Sequence, residues 1–215
     1  MTRRQFFNSV LSRFQETMPV AETELDYRTP YELLVAVILS AQCTDKRVNI
    51  ITPKLFERFP VVELLAKATQ EEVFDLIRTC SYPNNKTKHL IGMAQTVITK
   101  YGGKIPEAVE DLMKLPGVGR KTANVVASVV FNKPTIAVDR HVFRVSNRLG
   151  LTQNAPNPLE VEKQLTRYIP ENLRSIAHHW LILHGRYVCV ARAPKCDVCQ
   201  FTEWCKHYLT SSKST

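Results

Sequence analysis

The sequence predicts an all-α protein of about ten helices joined by short loops. Three observations carry this. Helix start signals recur along the chain. Strict apolar/polar alternation over strand length is absent. Gly, at seven residues in 215, is too sparse to punctuate β-hairpins.

The first segment, MTRRQFFNSVLSRF, holds an Arg pair but no continuous apolar stretch, because Asn8, Ser9, Ser12 and Arg13 interrupt it. That argues against a secretory signal. Thr29-Pro30-Tyr31-Glu32 offers an N-cap, a Pro at the first helical position and a capping-box Glu. The run Leu33–Leu39 that follows is therefore a buried helix rather than a strand. At seven residues it is the longest apolar run, far short of the roughly 20 a membrane helix requires. Thr69-Gln70-Glu71-Glu72 is a second capping box, leading into Val73, Phe74 and Ile77 at helical spacing. Ile105-Pro106 opens a helix that Pro116 must end. Asp139 precedes a helix running to Gly150. Asn157-Pro158-Leu159-Glu160 repeats the start signal, and Glu171–Leu183 continues amphipathically to Gly185, a C-cap position. The tail Thr210–Thr215 reads as disordered. No repeat or Gly/Ser linker marks a domain boundary.

Lys and Arg number 29 against 20 Asp and Glu, a net charge of +9. Such a balance suits a polyanionic partner but also an ordinary solvated basic surface. With 44% hydrophobic and 23% charged residues, the chain is not of the disordered class. Its six Cys divide unevenly: four crowd into Cys189–Cys205, while Cys43 and Cys80 stand apart. Without a secretory signal, a local cluster reads as metal ligation rather than a disulfide framework.

Six residues separate Cys189 from Cys196, two separate Cys196 from Cys199, and five separate Cys199 from Cys205. Four thiolates so close in sequence can wrap one tetrahedral centre. Zinc and an iron–sulfur cluster both accept four Cys. A zinc ribbon usually shows two CxxC pairs and only one is present, which tilts the reading toward the cluster. Arg192 and Lys195, in the first loop, are placed to meet phosphate or simply to face water.

Leu115-Pro116-Gly117-Val118-Gly119-Arg120 reads as a tight turn between helices. Pro116 stops the first, and Gly117 and Gly119 permit backbone angles and close approach that a Cβ would block. The next helix, Thr122–Phe131, is apolar nearly all round. Its N-terminus presents amides and partial positive charge to an anion. This is the pattern of a helix–hairpin–helix phosphate grip, which reads backbone rather than base sequence. Lys121 sits on the first turn. Adjacent positive charge and the helix N-terminus favour its free amine and hence a nucleophile; a plain phosphate contact is the simpler alternative. Asp139 is an N-cap and can be a catalytic carboxylate as well. His141 is a packing residue or a site contact.

Three separated motifs coincide: LPGVGRKTANVV at 115–126, TIAVDRHVFRVSNRLG at 135–150, and HHWLILHGRYVC with the four-Cys pattern at 178–205. Together with Ile38-Leu39-Ser40-Ala41-Gln42-Cys43-Thr44-Asp45 they resemble the bacterial endonuclease III family of helix–hairpin–helix DNA glycosylases over nearly the whole chain. The resemblance implies a six-helix domain at 22–132 carrying the hairpin. A discontinuous domain at 1–21 and 133–215 would hold a [4Fe–4S] cluster on Cys189, Cys196, Cys199 and Cys205. Damaged double-stranded DNA would lie across the cleft between them. The resemblance further implies excision of oxidised pyrimidines, then strand cleavage 3′ of the abasic site by β-elimination. Lys121 would be the nucleophile and Asp139 its carboxylate partner. Leu115, Gly117, Val118, Gly119 and Arg120 would grip DNA. Gln42 would fill the gap left by a flipped base.

The resemblance also implies a monomer working in the cytoplasm on the nucleoid. Two departures stand out. Arg140 replaces the usual Thr, and Ser81-Tyr82-Pro83-Asn84-Asn85-Lys86 replaces a Gly-Leu-Tyr-Asn stretch, so Tyr82 takes the place of a wedge Leu. Two other readings compete: an adenine-mismatch glycosylase of the same superfamily and a non-catalytic DNA-binding protein. Lys121 counts against the first, as do the few residues after Cys205. Lys121 together with Asp139 counts against the second.

Overall fold

The computed structural model describes residues 1–211. Among these there are twelve α-helices and no strand. The expected tail disorder is corrected at its start, since Thr210 and Ser211 close the last helix; positions 212–215 lie outside the described residues. No described helix is long and apolar enough to cross a membrane. The chain divides into two compact units, one spanning Glu24–Asn132 and the other formed by Met1–Thr23 with the chain from Lys133 onward.

The Glu24–Asn132 unit contains α2 (Pro30–Ser40), α3 (Asp45–Arg58), α4 (Val62–Ala66), α5 (Gln70–Ile77), α6 (Pro83–Tyr101), α7 (Val109–Leu112) and α8 (Arg120–Phe131). Its centre is α2, buried from Tyr31 through Leu39 and packed against α3, α6 and α8. Thr29 caps α2 as its sequence suggests, accepting from the Glu32 amide at 3.2 Å. The reciprocal half of that capping box does not form. The Glu32 carboxylate reaches one residue further back, accepting from the Arg28 amide at 2.7 Å and the Arg28 guanidinium at 2.8 Å. A nearby cation outcompetes the neutral Thr29 amide. At α5 both halves of the box form, with Glu72 accepting from the Thr69 amide at 2.9 Å.

The segment after α6 departs from expectation. Ile105-Pro106 does not open a helix; α7 begins only at Val109 and spans four residues. Gly102 and Gly103 both adopt left-handed angles, at φ +59° and +80°, and Ala108 has no side chain with which to cap. The turn after α7 closes tightly, with the Val118 amide donating to the Leu115 carbonyl at 3.1 Å. Gly117 takes φ +78°, and a Cβ there would stand 2.7 Å from the Cβ of His89 on α6. Pro116 packs beside Gly92 of the same helix, where a Cβ would come within 3.3 Å. Two glycines on opposite sides of one contact thus let the hairpin sit against α6. The predicted burial of the following helix holds from Thr122 to Ser128.

The other unit contains α1 (Arg3–Thr17), α9 (Arg140–Leu149), α10 (Pro158–Tyr168), α11 (Arg174–Tyr187) and α12 (Lys206–Ser211). Helix α9 packs against α10, α11 and α12. Aromatic side chains tie in α1: Phe14 stacks on Trp180 at 5.6 Å and packs on Phe201 at 4.4 Å. The Trp180 indole donates to the Met18 carbonyl at 2.7 Å. Asn157 and Gly150 perform as read, the first capping α10 and the second ending α9 at φ +91°. Gly185 does not. It lies inside α11, where a Cβ would stand 2.9 Å from Val145 and 3.0 Å from the His141 Cβ. The glycine serves helix–helix approach, not termination.

Two predictions follow from this packing. Gly117→Ala should cost about 2–4 kcal/mol, from left-handed strain plus the His89 overlap; urea unfolding reads it, and a loss below ~0.5 kcal/mol would overturn the account. His179 is buried, and burial lowers its pKa from 6.5 to about 4. The unfolded chain then binds a proton that the native chain refuses, so stability falls as pH drops from 6.5 toward 4. This group contributes up to about 3 kcal/mol of that loss. Unfolding free energies at pH 7 and pH 5 should differ less in His179→Gln than in the parent chain.

Candidate functional site

The hairpin and the start of α8 form one exposed surface. Gly119 is the N-cap of α8 and brings no capping side chain. Its φ of −88° is ordinary, so conformation does not demand glycine; a Cβ would project into open space. Its lack of a side chain leaves room for a ligand to approach the first-turn amides. Gly117, Gly119, Arg120 and Lys121 are all exposed. Leu115 and Val118 are not: they are 2% and 6% exposed, and both amides are engaged within the turn. Those two side chains pack inside the turn, while the glycines, Arg120 and Lys121 are on its surface. Lys121 is exposed and is followed by the wholly buried stretch Thr122–Ser128, so the rigid part of α8 anchors its backbone.

A second surface lies on the same unit. Gln42 and Tyr82 both hold left-handed backbone angles, at φ 55° and 54°, and both are exposed, Tyr82 at 63%. Such angles cost non-glycine residues about 1–2 kcal/mol each and tend to mark functional positions. The Ser81 hydroxyl donates to the Gln42 carbonyl at 2.7 Å and joins the two turns. Buried Lys86 donates to the Leu39 and Ala41 carbonyls, each at 2.7 Å. Sequence reading paired neither Ser81 nor Lys86 with the Gln42 turn. The only local signal was a Lys within the altered 81–86 stretch.

In the other unit, Asp139 is the N-cap of α9. Its Oδ1 accepts from the amides of His141 and Val142, both at 2.8 Å. Both bonds use one oxygen, so the cap orients the carboxylate and leaves Oδ2 for other work. His141 follows, half-buried. Burial lowers its pKa; Asp139 and a Gly185 hydrogen bond oppose this, while Arg144 and Arg140 reinforce it. With Gly185 pressed against it, His141 is first a packing residue. Arg140 is exposed. Arg144 turns inward, donating to the carbonyls of Gly185 at 2.6 Å and Cys189 at 3.0 Å. Arg148 donates to those of Val190 and Ala191, each at 2.7 Å. Two arginines of α9 thereby hold the start of the four-Cys segment.

Cys189, Cys196, Cys199 and Cys205 all line a single cavity, together with Leu149, Val188 and Pro194. Phe201, fully buried between two of them, anchors the loop to the core. Burial raises the Cys199 and Cys205 thiols, and the neighbouring cysteines add to the rise at both. Among the described residues no three His, Cys, Asp or Glu come together closely enough to hold one metal ion. Arg192 and Lys195 are exposed on the first loop.

Residues 35–171 match the family model described as HhH-GPD superfamily base excision DNA repair protein. The chain is 44% identical over 204 residues to endonuclease III of Rickettsia felis, covering 95% of each sequence. Among solved structures it is similar to a trapped endonuclease III–DNA covalent intermediate, an estranged-adenine complex. That match has a TM-score of 0.93 and 43% identity, covering 99% of this chain and 100% of the other. A non-covalent endonuclease III–DNA complex matches at a TM-score of 0.93 and 42% identity, with the same coverage. The paired glycines of the hairpin, the capping carboxylate of α9 and the four-Cys cavity thus sit within a fold shared along essentially the whole chain, and the protein belongs to the endonuclease III family of the HhH-GPD superfamily of base excision DNA repair proteins.

Proposed function

We propose that this protein is a bifunctional DNA glycosylase and abasic-site lyase that removes oxidised pyrimidines from damaged double-stranded DNA. The observation that carries the reading is Lys121, an exposed amine on the first turn of α8, directly after a glycine turn open to an anion. The relative trapped as a covalent DNA intermediate accords with a covalent nucleophile.

The hairpin holds a backbone phosphate through the amides at Gly117 and Gly119, with Arg120 beside them. The damaged nucleotide leaves the stack. Gln42 takes the vacated space and Tyr82 wedges opposite. As a free amine, Lys121 attacks C1′ with its lone pair, and the C1′–base bond breaks with its electrons departing on the base. Asp139 stabilises cationic character at the sugar or assists proton transfer from Lys121. Ring opening gives an imine, which acidifies the C2′ hydrogens. Loss of one of them expels the 3′ phosphate, and hydrolysis of the imine restores Lys121. Arg could not substitute, because it does not surrender a proton at neutral pH.

We assign the four-Cys cavity to a [4Fe–4S] cluster held by Cys189, Cys196, Cys199 and Cys205. The all-thiol donor set lining one cavity supports that assignment. When bound, the cluster supplies the positive core that keeps the four thiolates together. The loop it fixes carries Arg192 and Lys195, which suit a DNA backbone. On this reading the Glu24–Asn132 unit grips DNA and supplies the nucleophile, while the other supplies Asp139 and the cluster. The protein works as a monomer on the nucleoid.

Borohydride should trap a covalent adduct between the protein and a duplex bearing thymine glycol or an abasic site, and Lys121→Gln should abolish it. Normal trapping by that variant would defeat the assignment. Asp139→Asn preserves a good N-cap, so it should unfold with the parent's free energy to within ~0.5 kcal/mol while turnover falls about 10²-fold or more. The purified protein should contain iron and acid-labile sulfide; stoichiometric zinc without iron would replace the cluster with a zinc site.

A further inference from the structure

Helix α2 ends on an unusual residue. Ala41 is its C-cap, and Gln42 follows at the place where glycine commonly adopts the left-handed conformation, here at φ 55°. Glutamine disfavours that conformation, so surrounding contacts must impose it. Three of the closing carbonyls are met from within the turn. Val37 accepts from the Ser40 hydroxyl at 2.9 Å, Ile38 from the Ala41 amide at 3.4 Å and Ser40 from the Cys43 amide at 3.1 Å. The alternate ones are met from the 80–86 segment. Lys86 Nζ donates to the Leu39 and Ala41 carbonyls, each at 2.7 Å, and the Ser81 hydroxyl to the Gln42 carbonyl at 2.7 Å.

The chemistry at this end suits an ammonium. The C-terminus of a helix presents unsatisfied carbonyls and partial negative charge. An ammonium has three donors, and the third of Lys86 reaches the Cys80 Sγ at 3.2 Å. Lys86 is 5% exposed, and all three donors are engaged, so it is not placed to meet a phosphate. Its main chain serves the second strained turn. The Lys86 amide donates to the carbonyl of Tyr82, which stands at φ 54° as the N-cap of α6. One residue therefore holds the Gln42 turn by its side chain and the Tyr82 turn by its backbone, while the Gln42 side chain stays exposed.

We propose that Lys86, assisted by Ser81, is the positioning residue that fixes the Gln42 turn for insertion into duplex DNA. The proposal rests on the reading of Gln42 as the side chain that fills the space left by a flipped nucleotide. Lys86 touches neither DNA nor the reacting atoms. It acts through Gln42, by holding the backbone from which that side chain projects. Without the ammonium the Leu39 and Ala41 carbonyls lose a donor, and the left-handed turn loses the contacts that impose it. Gln42 then samples other directions and must be ordered at the moment of base extrusion, which slows the reaction on paired DNA. Lys121, on the first turn of α8, keeps its own support in the buried stretch Thr122–Ser128.

The test is single-turnover strand cleavage by the full chain, purified with its native metal content, on a duplex bearing an abasic site and on the same strand unpaired. The unpaired strand has no opposite base and no gap to fill, so it reads the Lys121 chemistry without Gln42. Lys86→Met should slow cleavage of the duplex by about 10-fold or more and leave that of the single strand within about twofold of the parent. In a Gln42→Ala background the same change should slow the duplex reaction by less than about twofold, because the side chain it serves is gone. Equal losses on both substrates, no loss on either, or full additivity with Gln42→Ala would overturn the proposal. Ser81→Ala, at a half-buried hydroxyl, decides the matter where the buried Lys86→Met variant folds poorly. A loss confined to the duplex and absent in the Gln42→Ala background supports the proposal, and any other pattern overturns it. A parent chain inert on both substrates would refute the lyase reading itself. An active parent that tolerates Gln42→Ala on the duplex would refute the Gln42 role, and this proposal with it, while leaving that reading intact.

Discussion

The close approach of the Gly117 turn to α6 is the contact on which the outward chemistry of the Glu24–Asn132 unit depends. A left-handed residue with no Cβ lets the hairpin settle on His89, and Gly92 accepts Pro116 from the other side. Once seated, the turn delivers Gly119 to the start of α8, where a Cβ would meet only open space. Lys121 follows on the same turn, and Thr122–Ser128 are buried behind it. The polar end of a helix normally needs a side-chain cap. This one has none, and the charge of its dipole is left available to an anion.

A matching constraint operates in the other unit. Gly185 inside α11 admits His141 and Val145 of α9 to contact distance. The same helix then sends Arg144 and Arg148 to the carbonyls between Gly185 and Ala191. Helix α9 therefore does two jobs from its two ends. Its N-terminus fixes Asp139, and its C-terminal half ties down the entrance to the four-Cys segment. The aromatic group of Phe14, Trp180 and Phe201 holds that segment from the core side. The Asp139 cap and the four-Cys cavity thus share one support.

Local signals were legible where a residue's chemistry acts within a turn of itself. Thr29, Thr69, Asp139 and Asn157 all cap the helices they precede. They failed where a partner distant in sequence took over. Glu32 abandoned its capping box for Arg28. Gly185 looked like a terminator because glycine often is one, yet its role is set by a helix some 40 residues away in the chain. Ile105-Pro106 carried a start signal, but the left-handed glycines before it and the uncapped Ala108 after it kept the chain extended. Within the hairpin the Leu115 and Val118 side chains are buried and the Arg120 and Lys121 side chains exposed; motif position alone does not say which way a side chain turns.

The sequence by itself determined that the chain is helical, that four clustered thiols would come together, and that a glycine turn would present a lysine at a helix start. Each of these follows from spacing within a few dozen residues at most. Tertiary structure alone decided that Lys86 is buried between three main-chain and thiol partners, and that Gln42 and Tyr82 stand on adjoining strained turns. Those contacts join segments about 40 residues apart. They exist because α2 is buried at the centre of its unit and α6 packs against it, which brings the end of one helix to the start of the other.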